Sequence, residues 1–309
     1  MKICIVGPGA MGCLFAGFLA AAGEEVVILD KRADRAQRIR ESGIKIEGVS
    51  GDHAVKVNVV LRAQEISGCD LVIIAVKSYD TESAVQSAKS LAKGATSFLT
   101  LQNGIGNVEI ISKIVGEKRA IGGVTSQGAP LLDDGHIRHA GVGDTVIGRA
   151  DGKVTEELRK ITETFTKAGL SAKTSDNIEG LLWSKLIINV GINGLTAVAK
   201  LNNGRLVEFE GTHNLLKKLV AEALAVAQRK QIKLIYDDLL KKVEDVCRAT
   251  AGNVSSMLQD VLKRRKTEID YINGAIVREA EALDVPTPIN SALTEIVHTI
   301  EQSYDIAVS

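Results

Sequence analysis

Apolar positions in the first half of the chain follow two alternating patterns. Lys2 to Val6 reads as a nearly continuous apolar run, the mark of a strand covered on both faces. A glycine-rich turn follows, Gly7-Pro8-Gly9-Ala10-Met11-Gly12, and residues 13–22 then read as an Ala/Leu/Phe helix stopped by Gly23. Residues 25–29 make a second strand that closes at Asp30. Strand, tight turn, helix and strand within about 30 residues is the span of one βαβ unit.

The alternation continues with a helix at 34–42, strands at 44–47 and 55–60, a strong buried strand at 70–76 and a helix at 82–92. A strand at 96–101, a β-branched hairpin strand at 142–147 and a helix at 155–168 before Gly169 complete the series. Repeated βα units predict a parallel, doubly wound sheet. Beyond residue 177 strand-like runs almost vanish, and 178–198, 215–230, 237–251, 255–283 and 290–303 all read as helices. Asp176-Asn177 offers an N-cap for the first of them. The expected organisation is therefore an α/β domain at 1–176 and an all-helical domain at 177–309, with the cleft between two such domains a frequent place for a ligand.

Composition narrows the partners. The 309 residues carry 38 Lys plus Arg and 38 Asp plus Glu, a formal charge of zero, which argues against general binding of nucleic acid. Hydrophobic residues at 45% are enough for a sizeable core. Cys4, Cys13, Cys69 and Cys247 stand far apart in no CxxC pair, so neither a disulfide framework nor a cysteine-based metal site is expected. His136 and His139 lack companions at ligand spacing and read as hairpin or surface residues, and no metal is expected. The N-terminus reads as a strand and not as a signal peptide, and the apolar runs near Leu14 and Leu186 are interrupted early. A cytoplasmic protein with a small-molecule partner and no membrane partner is the expectation. The aliphatic repeats of the later helices are core first, with a homodimer face as their second use.

Gly7, Gly9 and Gly12 fit the dinucleotide fingerprint G-x-G-x-x-G. The first glycine permits the tight turn, the second lets backbone approach a pyrophosphate, and the third lets helix and sheet pack closely. Phosphates then meet the N–H groups and positive dipole of the helix N-terminus. Placed after a buried strand and before a helix, the string points to a Rossmann-type domain. Asp30 lies near where an acidic residue would bond the ribose 2′-OH of NAD, whereas Lys31 and Arg32 would suit the extra phosphate of NADP. Lys77 and Asn103 follow the next two strands on the carboxyl edge of the sheet, where ligands bind in such folds.

A second constellation stands in Trp183-Ser-Lys-Leu-Ile-Ile-Asn189-Val-Gly-Ile-Asn193. At helical spacing Lys185, Asn189 and Asn193 fall on one stripe among apolar neighbours. A cation and two amides in such a segment need partners or a ligand, because unpaired burial costs several kcal/mol. A polar network between helices is the other use of that stripe.

These strings, with VKSYDT around Lys77, LQNGIGN around Asn103, NNGRL at Asn203 and NVSSMLQDVLKRRKTEIDYINGAIV from Asn253, resemble the ketopantoate reductase family (2-dehydropantoate 2-reductases) along the whole chain. The resemblance implies reduction of 2-dehydropantoate to (R)-pantoate in pantothenate (vitamin B5) synthesis, with hydride from a nicotinamide and a proton from Lys185 as general acid. It implies that Asn103, Asn189, Asn193, Asn203 and Ser256 hold the substrate and that Glu268 is catalytic beside Lys185, helping keep its ammonium charged and helping fix substrate or cofactor. Gly7, Pro8, Gly9, Ala10, Met11, Gly12, Lys31, Lys77, Asn103, Ala129 and Glu268 would line the cofactor. Lys31 fits the NADP(H)-using pattern and Asp30 departs from it, so NADP(H) is favoured while Asp30 keeps NAD(H) open. Two other readings are a reductase of another branched 2-oxo acid and a nucleotide-sensing binding protein without catalysis. The run Lys263-Arg264-Arg265-Lys266 reads as the solvated face of a helix.

Overall fold

The structure, a computed structural model, describes residues 1–306. The chain forms two compact units, one of Met1–Gln102 with Asn107–Ile178, the other of Asn103–Gly106 with the chain from Glu179 onward.

The first unit runs β1 (Lys2–Val6), α1 (Ala10–Ala21), β2 (Glu25–Leu29), α2 (Ala33–Ser42), β3 (Ile44–Gly48), β4 (His53–Val55) and β5 (Asn58–Val60). It continues through β6 (Leu71–Ile74), α3 (Thr81–Ala88), β7 (Ser97–Thr100), α4 (Asn107–Val115), β8 (Ala120–Thr125), β9 (Leu131–Asp133) and β10 (His136–His139). It closes with β11 (Thr145–Gly148), α5 (Glu156–Lys167) and β12 (Ala172–Thr174). An eight-stranded sheet takes the order β12-β11-β8-β7-β6-β1-β2-β5, and a four-stranded sheet the order β4-β3-β10-β9. From β5 across to β8 every neighbour is parallel, so that part is the doubly wound sheet the βα alternation predicts. β1 shows why its run is continuously apolar: Ile3 and Ile5 enter one core and Cys4 and Val6 the other, on opposite faces of the sheet.

The chain order reverses at β1, with β2 on one side and β6 on the other. That reversal is the topological switch point, whose crevice lies beyond the carboxyl ends of the two strands.

Two strand readings need correction. The segment 55–60 is not one strand: β4 pairs antiparallel with β3 in the small sheet, while β5 pairs parallel with β2 in the large one. One apolar stretch thus serves two sheets. The hairpin strand expected at 142–147 begins only at Thr145 and lies antiparallel to β8, so the large sheet is mixed at that edge. His136 and His139 stand in the β9–β10 hairpin as read, but His139 is not at the surface: it is buried, with Nε2 2.8 Å from Gln127 Oε1 and its ring edge-on to Phe18.

The second unit is helical: α6 (Ile178–Ala199), α7 (Glu210–Arg229), α8 (Leu239–Ala249), α9 (Ser256–Leu262), α10 (Asn273–Glu281) and α11 (Pro288–Gln302). By length and composition α6 could cross a membrane, but most of its apolar window is buried in protein. Trp183, Leu186, Ile187 and Val190 join Leu216, Val220, Val243 and Val297 of α7, α8 and α11 in one core. Gly191 and Gly194 permit that packing, because a Cβ would stand 3.0 Å from Val220 and Val243 at the first and 2.8 Å from Leu293 at the second.

The segment 255–283 is not one helix. Arg264 adopts φ 51, and the Arg265 N–H reaches back to the Asp260 carbonyl at 2.9 Å, which closes α9. Lys263–Lys266 are exposed in the resulting break instead of on a helix face, where four like charges in a row would repel. A short 3₁₀ turn at Ile269–Tyr271 then leads into α10.

Candidate functional site

The glycine loop of the first unit sits at the switch point. Gly7 has φ +94, and a Cβ there would stand 2.5 Å from Val76 just past β6, so both conformation and contact require glycine. A Cβ on Gly12 would be 2.1 Å from the Gly7 carbonyl, so only glycine lets α1 start this close to the turn. Gly9 differs. Its φ is −74, and a Cβ would meet nothing nearer than the Ala75 carbonyl at 3.6 Å. The protein's own packing gives no reason for glycine at that position. Gly9 is also the N-cap of α1 and supplies no side-chain cap, which leaves the first-turn N–H groups for an external acceptor. A bare backbone surface at a helix N-terminus fits a pyrophosphate.

Around this loop Pro8 is buried and Ala10 and Met11 half-buried. Lys77 follows β6, half-buried, at the head of a 3₁₀ turn over Ser78–Asp80. Lys31 is exposed just past β2, its Nζ 3.3 Å from Asp80. Arg32 pairs with Asp34 on the surface. Asp30 is buried, and each of its oxygens lies 2.6 Å from a nitrogen of Arg35; Oδ1 also accepts the Arg32 N–H at 3.2 Å. Arg35 was not among the candidate residues, although a cation five residues after the acid, one turn into α2, is the cue that could have found it. Ala129 is half-buried between β8 and β9.

In the second unit the stripe on α6 is as the spacing predicts: Lys185 and Asn189 are half-buried and Asn193 is buried. Asn189 Nδ2 is buried without a hydrogen-bond partner in the protein, and so is Asn203 Oδ1. Such atoms are uncommon in cores and call for a partner from outside the protein, a water, an ion or a ligand. Asn203 is held by its backbone N–H on the Asn253 carbonyl at 3.0 Å and by Nδ2 on Thr250 Oγ1 at 2.9 Å. Ser255 caps α9 through Leu258 N–H at 3.1 Å, and its Oγ lies 2.7 Å from Thr196 Oγ1 on α6. That bond ties the start of α9, where Ser256 is exposed, to the turn of α6 that carries Asn193.

Glu268 is buried just before the 3₁₀ turn and acts electrostatically on Lys185. Burial pushes the Lys185 ammonium down to about 8, and the Glu268 carboxylate works against that shift. The 103–106 loop meets the same turn. Ile105 N–H donates to the Tyr271 carbonyl at 3.3 Å, and a Cβ on Gly104, φ +82, would stand 2.1 Å from that oxygen. The second unit therefore groups Asn103 with the Glu268 turn, and the Lys185–Asn193 stripe with Ser256. On the far side of the turn, Asp270 Oδ1 lies 2.8 Å from His298 Nε2, and Glu301 accepts the Thr267 N–H at 2.7 Å. These α11 contacts had no signature in the sequence, since their partners are about 30 residues away.

An ammonium with a lowered pKa, beside a carboxylate and unsatisfied amides, can donate a proton to an oxyanion held by those amides.

Comparison with known proteins places these features in a family. The family described as "Ketopantoate reductase PanE/ApbA" matches residues 3–152, and "Ketopantoate reductase PanE/ApbA C terminal" matches residues 177–301. The 2-dehydropantoate 2-reductase of Halobacterium salinarum is 32% identical over 303 residues, covering 98% of this chain and 99% of its own. A PanE/ApbA family ketopantoate reductase of Ralstonia eutropha JMP134 superposes with TM-score 0.91 at 35% identity, covering 98% of this chain and 99% of its own. A ternary structure of D-mandelate dehydrogenase with NADH and anilino(oxo)acetate superposes with TM-score 0.92 at 33% identity, covering 99% of this chain and 100% of its own.

Proposed function

The chain belongs to the ketopantoate reductase family, and from that membership and the site's chemistry we propose that it reduces 2-dehydropantoate to (R)-pantoate with NADP(H), a step of pantothenate synthesis. The observation that carries the catalytic part of the reading is Lys185, held near its proton-transfer range by burial and by Glu268.

Gly7, Gly9 and Gly12, with Pro8, Ala10 and Met11, hold the pyrophosphate on the N–H groups of α1. Lys31 and Arg32 meet the 2′-phosphate, Lys77 and Asn103 line the dinucleotide, and Ala129 borders its nicotinamide. NADPH bound there supplies the hydride that reduces the C2 carbonyl. Asn189, Asn193, Asn203 and Ser256 bind the carboxylate and hydroxyl of the oxo acid; as neutral groups they orient it without fixing a charge. Lys185 donates its proton to the C2 oxygen as negative charge develops there, and its own charge stabilises that oxygen beforehand. Glu268 keeps Lys185 protonated at neutral pH.

A second reading has support from the D-mandelate dehydrogenase neighbour: reduction of a different 2-oxo acid, with NADH. Loss of the reduced-nicotinamide absorbance separates the two. With NADPH and NADH each offered beside ketopantoate and a panel of branched and aromatic 2-oxo acids, ketopantoate with NADPH is expected to be turned over best. Preference for another acid moves the protein to the second reading. No oxidation with any pair, together with intact dinucleotide binding, makes it a nucleotide-sensing protein.

A further inference from the structure

Asp30 occupies the position from which an acid at the end of the second strand accepts the ribose 2′-OH of NAD and repels the 2′-phosphate of NADP. Here burial and pairing work against both roles. Both oxygens are bonded to Arg35 at 2.6 Å, by Nε and by Nη2, and Oδ1 takes the Arg32 N–H as well. The carboxylate is 1% exposed, and the guanidinium covering it is 17% exposed. A carboxylate has about four lone-pair sites, so Oδ1 is filled and Oδ2 half-filled. Its negative charge is matched by a planar, permanently charged guanidinium in the bidentate geometry that lysine cannot reproduce. The cations beside it, Lys31 and Arg32, are exposed and already paired, Lys31 with Asp80 and Arg32 with Asp34 and Asp134, in surface or half-buried pairs that a phosphate can displace.

We propose that Arg35 sets the dinucleotide preference: by neutralising Asp30 it removes the acid that would favour NAD and leaves Lys31 and Arg32 to bind a 2′-phosphate. This rests on the reading that the glycine loop holds a nicotinamide dinucleotide. Arg35 acts through Asp30 and need not touch the cofactor.

The test is equilibrium binding of NADP⁺ and NAD⁺ to the full chain by titration calorimetry, without turnover. The unmodified protein is expected to bind NADP⁺ the more tightly. Asp30→Asn is expected to leave NAD⁺ affinity within ~3-fold, because a carboxylate that does not read the ribose is not missed; a loss of ~10-fold or more, the scale of a charged hydrogen bond, overturns the proposal. Arg35→Gln exposes the acid, and the NADP⁺ to NAD⁺ preference is expected to fall ~10-fold or more. Asp30→Asn with Arg35→Gln removes both charges and is expected to recover most of the preference. A double variant that stays as poor as Arg35→Gln would mean the guanidinium binds the phosphate itself, and the proposal fails. Should Arg35→Gln not fold, with its carboxylate buried and unpaired, the double variant is compared directly with the unmodified protein, and loss of preference overturns the proposal. Binding of neither dinucleotide would overturn the cofactor reading and this inference with it.

Discussion

The Glu268 carboxylate works against the burial that lowers the Lys185 pKa. Burial lowers the pKa of the ammonium on α6; the carboxylate, buried at the head of the 3₁₀ turn, offsets part of that shift, and the result is a lysine near 8. An ordinary lysine titrates more than two units higher, too far from neutrality to exchange protons efficiently in both directions.

The pH profile should report this group. The protonated form is the donor, so kcat/KM for reduction is expected to be level below about 8 and to fall about tenfold per unit above it. Oxidation of the hydroxy acid needs the neutral amine and should rise through the same midpoint. A reduction limb at the usual lysine value would show that the burial does not act on the catalytic proton.

Glu268→Gln removes the group that opposes the burial shift. The alkaline limb of the reduction profile should then move below about 8. An unmoved limb with normal folding would dissociate Glu268 from Lys185.

Lys185→Ala removes the donor and its charge together. Turnover should drop at least about 100-fold while dinucleotide affinity stays unchanged. Unchanged turnover would eliminate the lysine as the acid.

Asn189 offers a test that separates binding from stability. Its buried Nδ2 makes no bond that folding would lose, so Asn189→Ala should shift the melting temperature by no more than ~2 °C. The KM for the oxo acid should rise ~10-fold or more if the amide completes its bonding on substrate. Asn203→Ala is the contrast, since its Nδ2 does bond Thr250 and stability should fall too.

Two glycines in one loop should respond in opposite ways. Gly12→Ala drives a Cβ onto the Gly7 carbonyl, backbone against backbone, and should destabilise by about 1–3 kcal/mol or more. Gly9→Ala fits the folded chain and should melt normally, yet weaken dinucleotide binding ~10-fold or more. Normal binding by the Gly9 variant would mean that no phosphate approaches that backbone.

Local periodicity carried much of the outcome. Short apolar runs bounded by glycine or charged residues announced β1, α1, β2 and β6, because each is buried in the core of the first unit and short-range sequence is enough to state that. The α6 stripe was legible for the same reason: Lys185, Asn189 and Asn193 share a face by geometry of the helix alone. What the sequence could not state was pairing. That 53–55 and 58–60 join different sheets, and that α11 supplies His298 and Glu301 to the turn around Glu268, depend on groups far along the chain. Asp30 shows the limit most plainly. In sequence it is an acid at the end of a strand, equally fit to read a ribose. Only the packed structure brings Arg35 onto both of its oxygens, because burial makes an unpaired carboxylate too costly to keep.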